Sequence, residues 1–207
     1  MTDRSTQPTV AGLLLAAGGG RRLGGRPKAL LTHAGRPLVE HAAHALRAGG
    51  CGPVHVVLGA AADQVRAAAD LTGCAVVVND DWPQGMGSSL RAGLESLAAT
   101  GADAAVVCLV DQPGVGAAAV GRVRAAAARD ALAMAVYAGV RGHPVLLGAD
   151  HWRAVAASAV GDRGARAYLA ARAAELRLVE CGDVADAYDI DTPGDLARLD
   201  PGPDGGP

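Results

Sequence analysis

The sequence predicts an α/β protein, a Rossmann-like three-layer α/β/α sandwich with a mostly parallel central sheet. Short apolar runs of strand length alternate with loops and helix-length stretches through most of the first 130 residues. These runs are apolar at almost every position, which is typical of strands covered by helices on both faces of a parallel sheet. The chain has 207 residues, a length that suits one domain with a substantial core.

The predicted elements follow one another in the order that such a sheet requires. In the first part of the chain the predicted strands are Val10–Ala17, Pro53–Leu58, Ala75–Asn79 and Ala104–Val110. The helices predicted among them are Pro37–Ala48, Ala61–Ala69, Ser88–Thr100 and Val115–Asp130. In the remainder, strands are predicted at Ala133–Tyr137, Pro144–Leu147 and Leu176–Glu180, and helices at Ala149–Ala156 and Arg163–Arg172. Thr192, Pro193 and Asp195 predict one more helix start, as N-cap, first turn and capping-box acid.

Composition and charge limit the possible domain organisation and the possible binding partners. One domain is predicted from residue 10 to residue 199, between a polar segment (1–9) and a Pro/Gly-rich segment (200–207) that are both predicted to be disordered. Half of the residues are hydrophobic but only 2% are aromatic, so the core must be built from Ala, Val and Leu. The net charge of −2 gives no global basic field of the kind that marks a nucleic-acid-binding protein.

Nothing in the sequence indicates a disulfide-linked, zinc-binding or membrane protein. The four cysteines are widely spaced and include no C-x-x-C pair. No signal-peptide pattern opens the chain, and no apolar run is long enough to cross a bilayer. A reduced, cytoplasmic protein with no membrane or nucleic-acid partner is therefore the expectation.

A glycine loop with cationic side chains follows the first predicted strand. The segment from Val10 to Leu31 reads V-A-G-L-L-L-A-A-G-G-G-R-R-L-G-G-R-P-K-A-L-L. Glycines let backbone N–H groups approach phosphate oxygens, and Arg22 and Lys28 supply positive charge. The segment lacks the Gly-Lys-Ser/Thr of a Walker A loop and the third glycine of the dinucleotide fingerprint. We predict a phosphate-binding loop, and the alternative is a glycine-rich turn with solvated arginines.

Polar segments follow the other predicted strand ends. Asp111 ends the fourth strand in V-C-L-V-D-Q-P, and the Asp80–Gly87 loop follows the third. Because ligands bind beyond the carboxyl ends of parallel strands, these segments are expected to meet the glycine loop at one edge of the sheet. A carboxylate that faces a phosphate loop predicts coordination of Mg²⁺ by Asp111. The alternative is an aspartate that caps the turn before Pro113.

Two further segments are candidates for ligand contacts. The residues of Gly85–Ser89 precede a predicted helix, and their glycine backbone and serine hydroxyls suit contacts to a base or ribose. The same serines are also good N-caps. The segment Gly161–Arg166 opens a helix and carries two arginines, which makes it a candidate anion site, with a solvated cap as the alternative.

These motifs occur in an order that resembles a known family. They are, in sequence, L-A-A-G-G-G-R-R-L-G-G-R-P-K, G-M-G-S-S-L-R-A-G-L, V-D-Q-P, G-H-P-V-L, G-D-R-G-A-R and D-I-D-T-P. From about Val10 to Leu199 the chain resembles the MobA-like NTP transferases, and among them the molybdenum cofactor cytidylyltransferase branch. The resemblance implies a fold of the nucleotide-diphospho-sugar transferase type. It also implies transfer of a nucleotide from an NTP to a phosphorylated acceptor, with release of pyrophosphate.

The resemblance implies roles for the residues at matching positions. The implied catalytic residues are Arg22, Lys28 and Asp111. The implied nucleotide-binding residues are Leu15, Ala16, Ala17, Gly18, Gly19, Gly20, Arg22, Lys28, Gly85, Gly87, Ser88 and Ser89. Asp111 and Asp191 would hold Mg²⁺, with Asp189 as the alternative to Asp191. On the acceptor side the implied residues are His143, Arg163 and Arg166.

The base preference follows from a finer resemblance. The cytidylyl branch resembles L-A-A-G, whereas the guanylyl branch often has L-A-G-G, so Ala17 favours CTP. The loop also departs from the commonest pattern at three places. Gly20 stands where many members have Ser, Leu23 where many have Met, and Gly25-Arg26-Pro27 is one residue longer than the commonest spacing before the lysine.

With the resemblance included, the sequence predicts a Mg²⁺-dependent cytidylyltransferase. It would transfer CMP from CTP to the terminal phosphate of Mo-molybdopterin and so make molybdopterin cytosine dinucleotide. The implied recipient of the product is a molybdenum hydroxylase of the xanthine dehydrogenase type or its chaperone. Two alternatives stay open. One is a guanylyltransferase or another nucleotidyltransferase acting on molybdopterin or a different small phosphorylated acceptor, and the other is a non-catalytic binding or chaperone module for the cofactor.

Overall fold

Residues 7–199 are described by the computed structural model, and the disorder predicted for residues 1–6 and 200–207 lies outside the described residues. The strands are β1 (Val10–Ala16), β2 (Thr32–His33), β3 (Arg36–Pro37), β4 (Val54–Leu58), β5 (Cys74–Val78), β6 (Ala104–Leu109), β7 (Leu132–Tyr137), β8 (Val140–Gly148) and β9 (Leu176–Glu180). The α-helices are α1 (Leu38–Ala48), α2 (Ala62–Ala68), α3 (Met86–Leu97), α4 (Ala117–Arg124), α5 (Ala149–Ser158) and α6 (Arg166–Ala171). None of these helices is long and apolar enough to cross a membrane. Short 3₁₀ helices occur at Arg21–Leu23, Lys28–Leu30, Trp82–Gln84, Gly161–Arg163 and Pro193–Arg198.

Seven of the described strands form one sheet in the order β5-β4-β1-β6-β8-β7-β9. β1 pairs in parallel with β4 and β6, β4 with β5, and β7 with β9. Of these seven strands, β8 is the one that runs antiparallel to its neighbours β6 and β7. The mostly parallel sheet predicted from the apolar runs is therefore confirmed.

Helices cover both faces of the sheet and give three layers. Leu14 of β1 belongs to the core beneath α1 and α4, whereas Leu13 and Leu15 belong to the core beneath α3, α5 and α6. The largest fully buried side chains are Leu, Ile and Val. The buried residues of the α1 and α4 layer include no aromatic side chain, and the two helices approach closely: a Cβ added to Gly49 after α1 would overlap Val120 of α4. The predicted Rossmann-like α/β/α sandwich is confirmed.

The helix predicted over Val115–Asp130 is shorter in the structure. It ends at Arg124, and a turn follows over the next alanines. The turn places Arg129 against Asp103, which precedes β6, at 3.3 Å and against Asp150 of α5 at 3.2 Å. A continuous helix would carry the Arg129 guanidinium away from both carboxylates, so these ion pairs accompany the earlier end.

Two predictions in the second half are wrong in detail. The turn expected over Gly139–His143 takes only Ala138 and Gly139, whose φ angles of 49° and 85° suit a tight two-residue hairpin turn. The helix expected over Arg163–Arg172 is interrupted at Gly164, where φ is 49°. A left-handed residue breaks the helical hydrogen bonds, so the segment divides into a 3₁₀ helix and α6.

The segment after β9 crosses the carboxyl edge of the sheet. Ile190 is fully buried, and its backbone N–H donates to the carbonyl oxygen of Asp111 at 2.9 Å. This anchor holds Asp189 and Asp191, on either side of Ile190, at the cleft described below. The D-I-D pattern thus combines one core residue with two residues of the site.

Two contacts fix the position of this segment. Asp195 accepts the backbone N–H of Thr192 at 2.7 Å, which confirms the predicted capping box. The carbonyl oxygen of Gly114 accepts the N–H of Asp186 at 3.3 Å, and a Cβ on Gly114 would overlap the Asp186 carbonyl oxygen. Glycine at residue 114 is therefore required for the approach of the two backbones.

Replacing Gly114 by alanine is expected to displace the segment that carries Asp191. The new methyl group overlaps backbone atoms, so we expect the free energy of unfolding to fall by about 1–3 kcal/mol. Gly116→Ala is the matched control, because a Cβ there meets nothing within 4 Å. Its effect should stay within about 0.5 kcal/mol. Urea unfolding measures both variants, and equal losses would contradict the role of the close contact.

Candidate active site

An open cleft of about 1150 Å³ lies at the carboxyl edge of the sheet. Its walls come from the glycine loop after β1, the loop between β5 and α3, the end of β6 and the beginning of β8. Residues 162–166 and the segment after β9 complete it. The convergence expected from the strand ends is therefore present.

The glycine loop folds back on the carbonyl oxygen of Gly20. This oxygen accepts the N–H groups of Leu23 at 2.8 Å and Gly25 at 3.1 Å. Gly20 has a φ of 61°, and a Cβ there would overlap the carbonyl oxygen of Arg26. Glycine alone fits this position, and the resulting turn brings Lys28 to the floor of the cleft.

Lys28, Asp111 and Asp191 form an ion cluster on that floor. The Lys28 ammonium donates to Oδ2 of Asp111 at 2.7 Å and to Oδ1 of Asp191. Nη1 of Arg22 lies 3.1 Å from the other carboxylate oxygen of Asp191. The Lys28 side chain is only 15% exposed, whereas that of Arg22 is 74% exposed. One buried cation therefore joins three segments that are far apart in the sequence.

The charge of Lys28 is fixed by these neighbours. Burial by itself lowers the pKa of an ammonium group. The charge of Asp111 and the hydrogen bonds to both carboxylates outweigh burial, so the pKa of Lys28 is raised. Lys28 is therefore a cation throughout the physiological pH range.

The donor set of this cluster fits a divalent metal ion that binds together with phosphate. Among the described residues, no group of three or more His, Cys, Asp or Glu side chains is placed to hold a metal. Mg²⁺ does not need such a group, because it usually binds one or two carboxylates with substrate phosphates and water. Asp111 and Asp191 each direct an oxygen at a single cation, which here is the Lys28 ammonium. Asp111 and Asp191 are therefore the residues that would hold such a metal ion, which would supply positive charge beside a bound phosphate chain.

Trp82 forms the wall beside the glycine loop. A Cβ on Gly19 would meet the Trp82 ring at 3.2 Å, and a Cβ on Gly59 would meet the Trp82 Cβ at 2.6 Å. The backbone of Ala17 joins the same wall, since its carbonyl oxygen accepts the N–H of Ala60 at 3.0 Å. We call this part of the cleft the nucleotide half, defined by Ala17–Gly20 and Trp82–Ser89.

The two serines at the start of α3 have different surroundings. Ser88 is engaged within the protein: its hydroxyl donates to the carbonyl oxygens of Asp81 and Gly85 and accepts from Asn79. Ser89 accepts from Asn79 at 3.0 Å and lines the cleft, whereas Ser88 does not. Neither serine is the N-cap, because α3 begins after Gly85 and has no side-chain cap; Ser88 instead ties the first turn of the helix to the preceding loop.

Gly85 and Gly87 have a packing reason to be glycine. A Cβ on Gly85, where φ is 105°, would lie 2.6 Å from the Asp162 carboxylate. A Cβ on Gly87 would lie 2.8 Å from the backbone of Ala159. The two glycines thus let the segment 159–164 pack directly on the start of α3. Gly85 also lines the cleft, and Gly87 does not.

The acceptor half of the cleft carries a neutral histidine among charged side chains. We define it by His143, Arg163, Arg166, Arg141 and Asp189, which line it together. Burial lowers the pKa of His143 to about 4; the charge of Asp189 opposes this shift and that of Arg166 adds to it. His143 is therefore an uncharged hydrogen-bonding group at neutral pH.

The cleft brings together most of the residues that the sequence singled out. Those that line it are Leu15, Ala17, Gly18, Gly19, Gly20, Arg22, Lys28, Gly85, Ser89, Asp111, His143, Arg163, Arg166, Asp189 and Asp191. The predicted residues outside the lining are Ala16, Gly87 and Ser88.

Three polar residues of the site were missed. Asn79 holds both serines, Gln112 donates to Asp189 Oδ1 at 2.8 Å, and Arg141 lines the acceptor half. Asn79 follows a strand end and Gln112 follows Asp111, so position at the carboxyl edge was the available signal.

Fold and cleft together define the class of protein. The mostly parallel seven-stranded sheet covered by helices is the nucleotide-diphospho-sugar transferase fold, which the chain shares with solved nucleotidyltransferases. The chain belongs to the MobA-like NTP transferase family, whose domain model matches residues 12–177. The family resemblance of the motifs is thereby confirmed.

Individual relatives carry names from two reaction classes. The chain is 43% identical over 199 residues to nicotine blue oxidoreductase of Paenarthrobacter nicotinovorans, covering 93% of this chain and 97% of that protein. It is 45% identical over 105 residues to a molybdenum cofactor guanylyltransferase of Cereibacter sphaeroides, covering 49% of this chain and 50% of that protein. Among solved structures, the manganese complex of Rv0371C from Mycobacterium tuberculosis H37Rv has a TM-score of 0.75 at 28% identity, covering 92% of this chain and 97% of that chain.

The state of His143 predicts a pH dependence of stability. Its pKa of about 4 in the folded chain lies below the value of about 6.5 expected in the unfolded chain. As the pH falls, the unfolded chain takes up the proton first, so the contribution of His143 is complete above about pH 6.5 and is lost towards pH 4. We expect the wild-type protein to lose about 1–2 kcal/mol more than His143→Gln over this range, since water in the open cleft screens part of the effect.

Urea unfolding of both proteins at several pH values between 7.5 and 4.5 measures this difference. Parallel curves for the two proteins would contradict a neutral His143 whose pKa is lowered by desolvation.

Proposed function

We propose that the protein is a metal-dependent cytidylyltransferase that transfers CMP from CTP to the terminal phosphate of Mo-molybdopterin and releases pyrophosphate. One observation carries the proposal: a largely buried lysine ammonium lies between two carboxylates on the floor of a cleft bordered by a glycine loop. A triphosphate needs cations to neutralise it, and its metal ion needs carboxylates. A module that only binds the cofactor has no need of the carboxylate pair.

The reaction requires the protein to position the substrates and neutralise their charge, and it requires no covalent intermediate with the protein. The terminal phosphate of the acceptor attacks the α-phosphorus of CTP in line, and the bond from that phosphorus to the bridging oxygen breaks. Lys28 moves from the carboxylates to the triphosphate, where its charge stabilises the leaving pyrophosphate, and Arg22 at the rim adds a second cation. Asp111 and Asp191 are then available to hold Mg²⁺, which supplies further charge neutralisation when bound.

The environment of Ala17 supports CTP as the nucleotide. Ala17 lines the nucleotide half, and its methyl group packs towards Gly59, where an added Cβ would lie 2.9 Å from the Ala17 Cβ. This packing fills the wall beside the loop, and a filled wall favours a one-ring base over a purine. The L-A-A-G pattern of the cytidylyl branch agrees with this argument.

The charges of the acceptor half support a phosphorylated acceptor. Arg141, Arg163 and Arg166 line it while His143 stays neutral. Guanidinium groups bind phosphate through paired hydrogen bonds. The name of the Cereibacter relative points to molybdopterin as that acceptor. A molybdenum hydroxylase of the xanthine dehydrogenase type, or its chaperone, would then receive the product.

A pyrophosphate-release assay across nucleotides and acceptors tests the proposal. The protein is incubated with Mg²⁺ or Mn²⁺ and each of CTP, GTP, ATP and UTP, with and without Mo-molybdopterin. We expect release only with CTP and the acceptor together. A preference for GTP would overturn the base assignment but keep nucleotidyl transfer. No release with any combination would overturn the transferase proposal.

A second candidate is an oxidoreductase, favoured by the identity of 43% over 93% of the chain to nicotine blue oxidoreductase. In this candidate the cleft binds a reduced nicotinamide dinucleotide, which passes a hydride to a small organic substrate of the nicotine blue type. Apolar side chains that line the cleft, among them Met134, Val145 and Leu176, suit such a substrate. Oxidation of NADH or NADPH that depends on nicotine blue, without pyrophosphate release in the first assay, would establish it.

Loss of either member of the central ion pair is expected to lower kcat by about 10²–10³-fold. Asp111→Asn keeps the shape of the side chain but removes its charge, and Lys28→Met keeps the length but removes the ammonium. Asp103→Asn is the matched control, since Asp103 precedes β6 at the end opposite to Asp111 and lies outside the cleft. It should turn over like the wild type. Near-normal turnover by folded Asp111→Asn would remove the assignment of Asp111 as a metal ligand.

A further inference from the structure

A buried hydrogen-bond cluster lies behind the nucleotide half. Asn79 directly follows β5, its side chain is buried, and its backbone N–H donates to the Leu58 carbonyl oxygen at 2.8 Å. Its side-chain amide contacts the N–H of Asp81 and the hydroxyls of Ser88 and Ser89. Asn79 itself does not line the cleft, so it can affect a ligand only through these partners.

The orientation of the Asn79 amide is determined by its partners. Oδ1 accepts the backbone N–H of Asp81 at 3.1 Å, and Nδ2 donates to the hydroxyls of Ser88 at 2.9 Å and Ser89 at 3.0 Å. Exchanging the oxygen and nitrogen would place an NH₂ group against the N–H of Asp81, two donors facing each other. Both amide hydrogens are therefore directed at the serine oxygens.

The hydroxyl protons of Ser88 and Ser89 differ in their hydrogen-bond acceptors. Ser88 donates to the carbonyl oxygens of Asp81 and Gly85, each at 2.9 Å. Ser89 has no hydrogen bond in which it donates to any residue in the range 7–199, and it lines the cleft. The Ser89 oxygen already accepts a hydrogen bond from Asn79, so the Ser89 hydroxyl can donate its proton to a ligand in the cleft. The hydrogen bond from Asn79 polarises the hydroxyl and makes it a stronger donor.

We infer that Asn79 is a positioning residue that makes Ser89 a hydrogen-bond donor to the bound nucleotide. Ser89 lines the nucleotide half together with Trp82 and Gly85, and it has no hydrogen bond to the Lys28, Asp111 and Asp191 side chains, so we place the base and not the triphosphate beside it. Its partner is therefore an acceptor atom of the base, a carbonyl oxygen or an unprotonated ring nitrogen, both of which cytosine presents. This inference rests on the proposed function, since it requires a nucleotide in this half.

Asn79→Asp is the informative variant. The aspartate has nearly the same shape, but its carboxylate accepts from both serines, so the Ser89 proton turns away and only lone pairs face the base. We expect CTP binding, measured by calorimetry without acceptor, to weaken about 5- to 30-fold, and Ser89→Ala to weaken it by a similar factor. The double variant should bind no more weakly than Asn79→Asp alone, because both changes remove the same hydrogen bond.

Two readouts separate this role from a structural one. Inorganic tripolyphosphate, which lacks a base, should bind Asn79→Asp and wild type equally, since it needs only the Lys28 end. Ser96→Ala is the control on the same helix: Ser96 contacts His55 and Gly93 and lies outside the cleft, so CTP binding should be unchanged. If Asn79→Asp does not fold, Asn79→Ala replaces it, with an expected loss of about 2- to 5-fold and the same non-additivity.

The outcomes distinguish the inference from the function it rests on. Wild-type affinity in the Asn79 variants, additive losses in the double variant, or an equal loss of tripolyphosphate binding each overturn the positioning role while CTP binding by the wild type stands. Failure of the wild type to bind any NTP overturns the proposed function and this inference together.

Discussion

The interaction on which the site depends is the contact of one ammonium, that of Lys28, with the carboxylates of Asp111 and Asp191. The carboxylates lie on different segments and would repel each other if no cation lay between them. Lys28 is largely buried, so water and salt screen these attractions poorly. A cation at this point is therefore needed by the fold as well as by the chemistry. In the proposed reaction, a phosphate chain that draws Lys28 away would leave the two carboxylates in need of another cation, which would couple nucleotide binding to metal binding.

Glycines make this contact possible by letting backbone segments approach where a side chain would not fit. Gly20 lets the first loop fold back and deliver Lys28, Gly114 lets the last segment deliver Asp191, and Gly85 lets the segment 159–164 close against α3. The sequence suggested that glycines in these motifs serve close contact with phosphate or base. The structure adds a second requirement, since at these positions a Cβ would already collide with protein atoms.

What the sequence could predict depended on whether the signal was local. Lys28 and Asp111 were predictable, because each follows a recognisable strand and parallel strands end at one edge. Asn79 and Gln112 lie at the same edge, but their roles were not predictable, because each acts through its partners and a single amide in a loop has no pattern of its own. Ser88 differs from its neighbour Ser89 only in the direction of its side chain at the start of α3. The antiparallel direction of β8 was likewise hidden, since a buried strand is apolar in either direction.

Family membership establishes the fold but does not establish whether the protein cleaves a phosphate chain. The charges in the cleft offer a physical criterion for deciding between nucleotidyl transfer and redox chemistry. A dinucleotide that serves as a redox cofactor keeps its pyrophosphate intact, and a glycine loop with one or two cations is enough to bind it. A triphosphate carries more negative charge and must release pyrophosphate, so its site needs a metal ion in addition to a lysine. Binding a redox dinucleotide does not require the carboxylates of Asp111 and Asp191, whereas nucleotidyl transfer requires them to hold the metal ion. Their convergence on one cation is therefore the feature of this cleft that favours nucleotidyl transfer over redox chemistry.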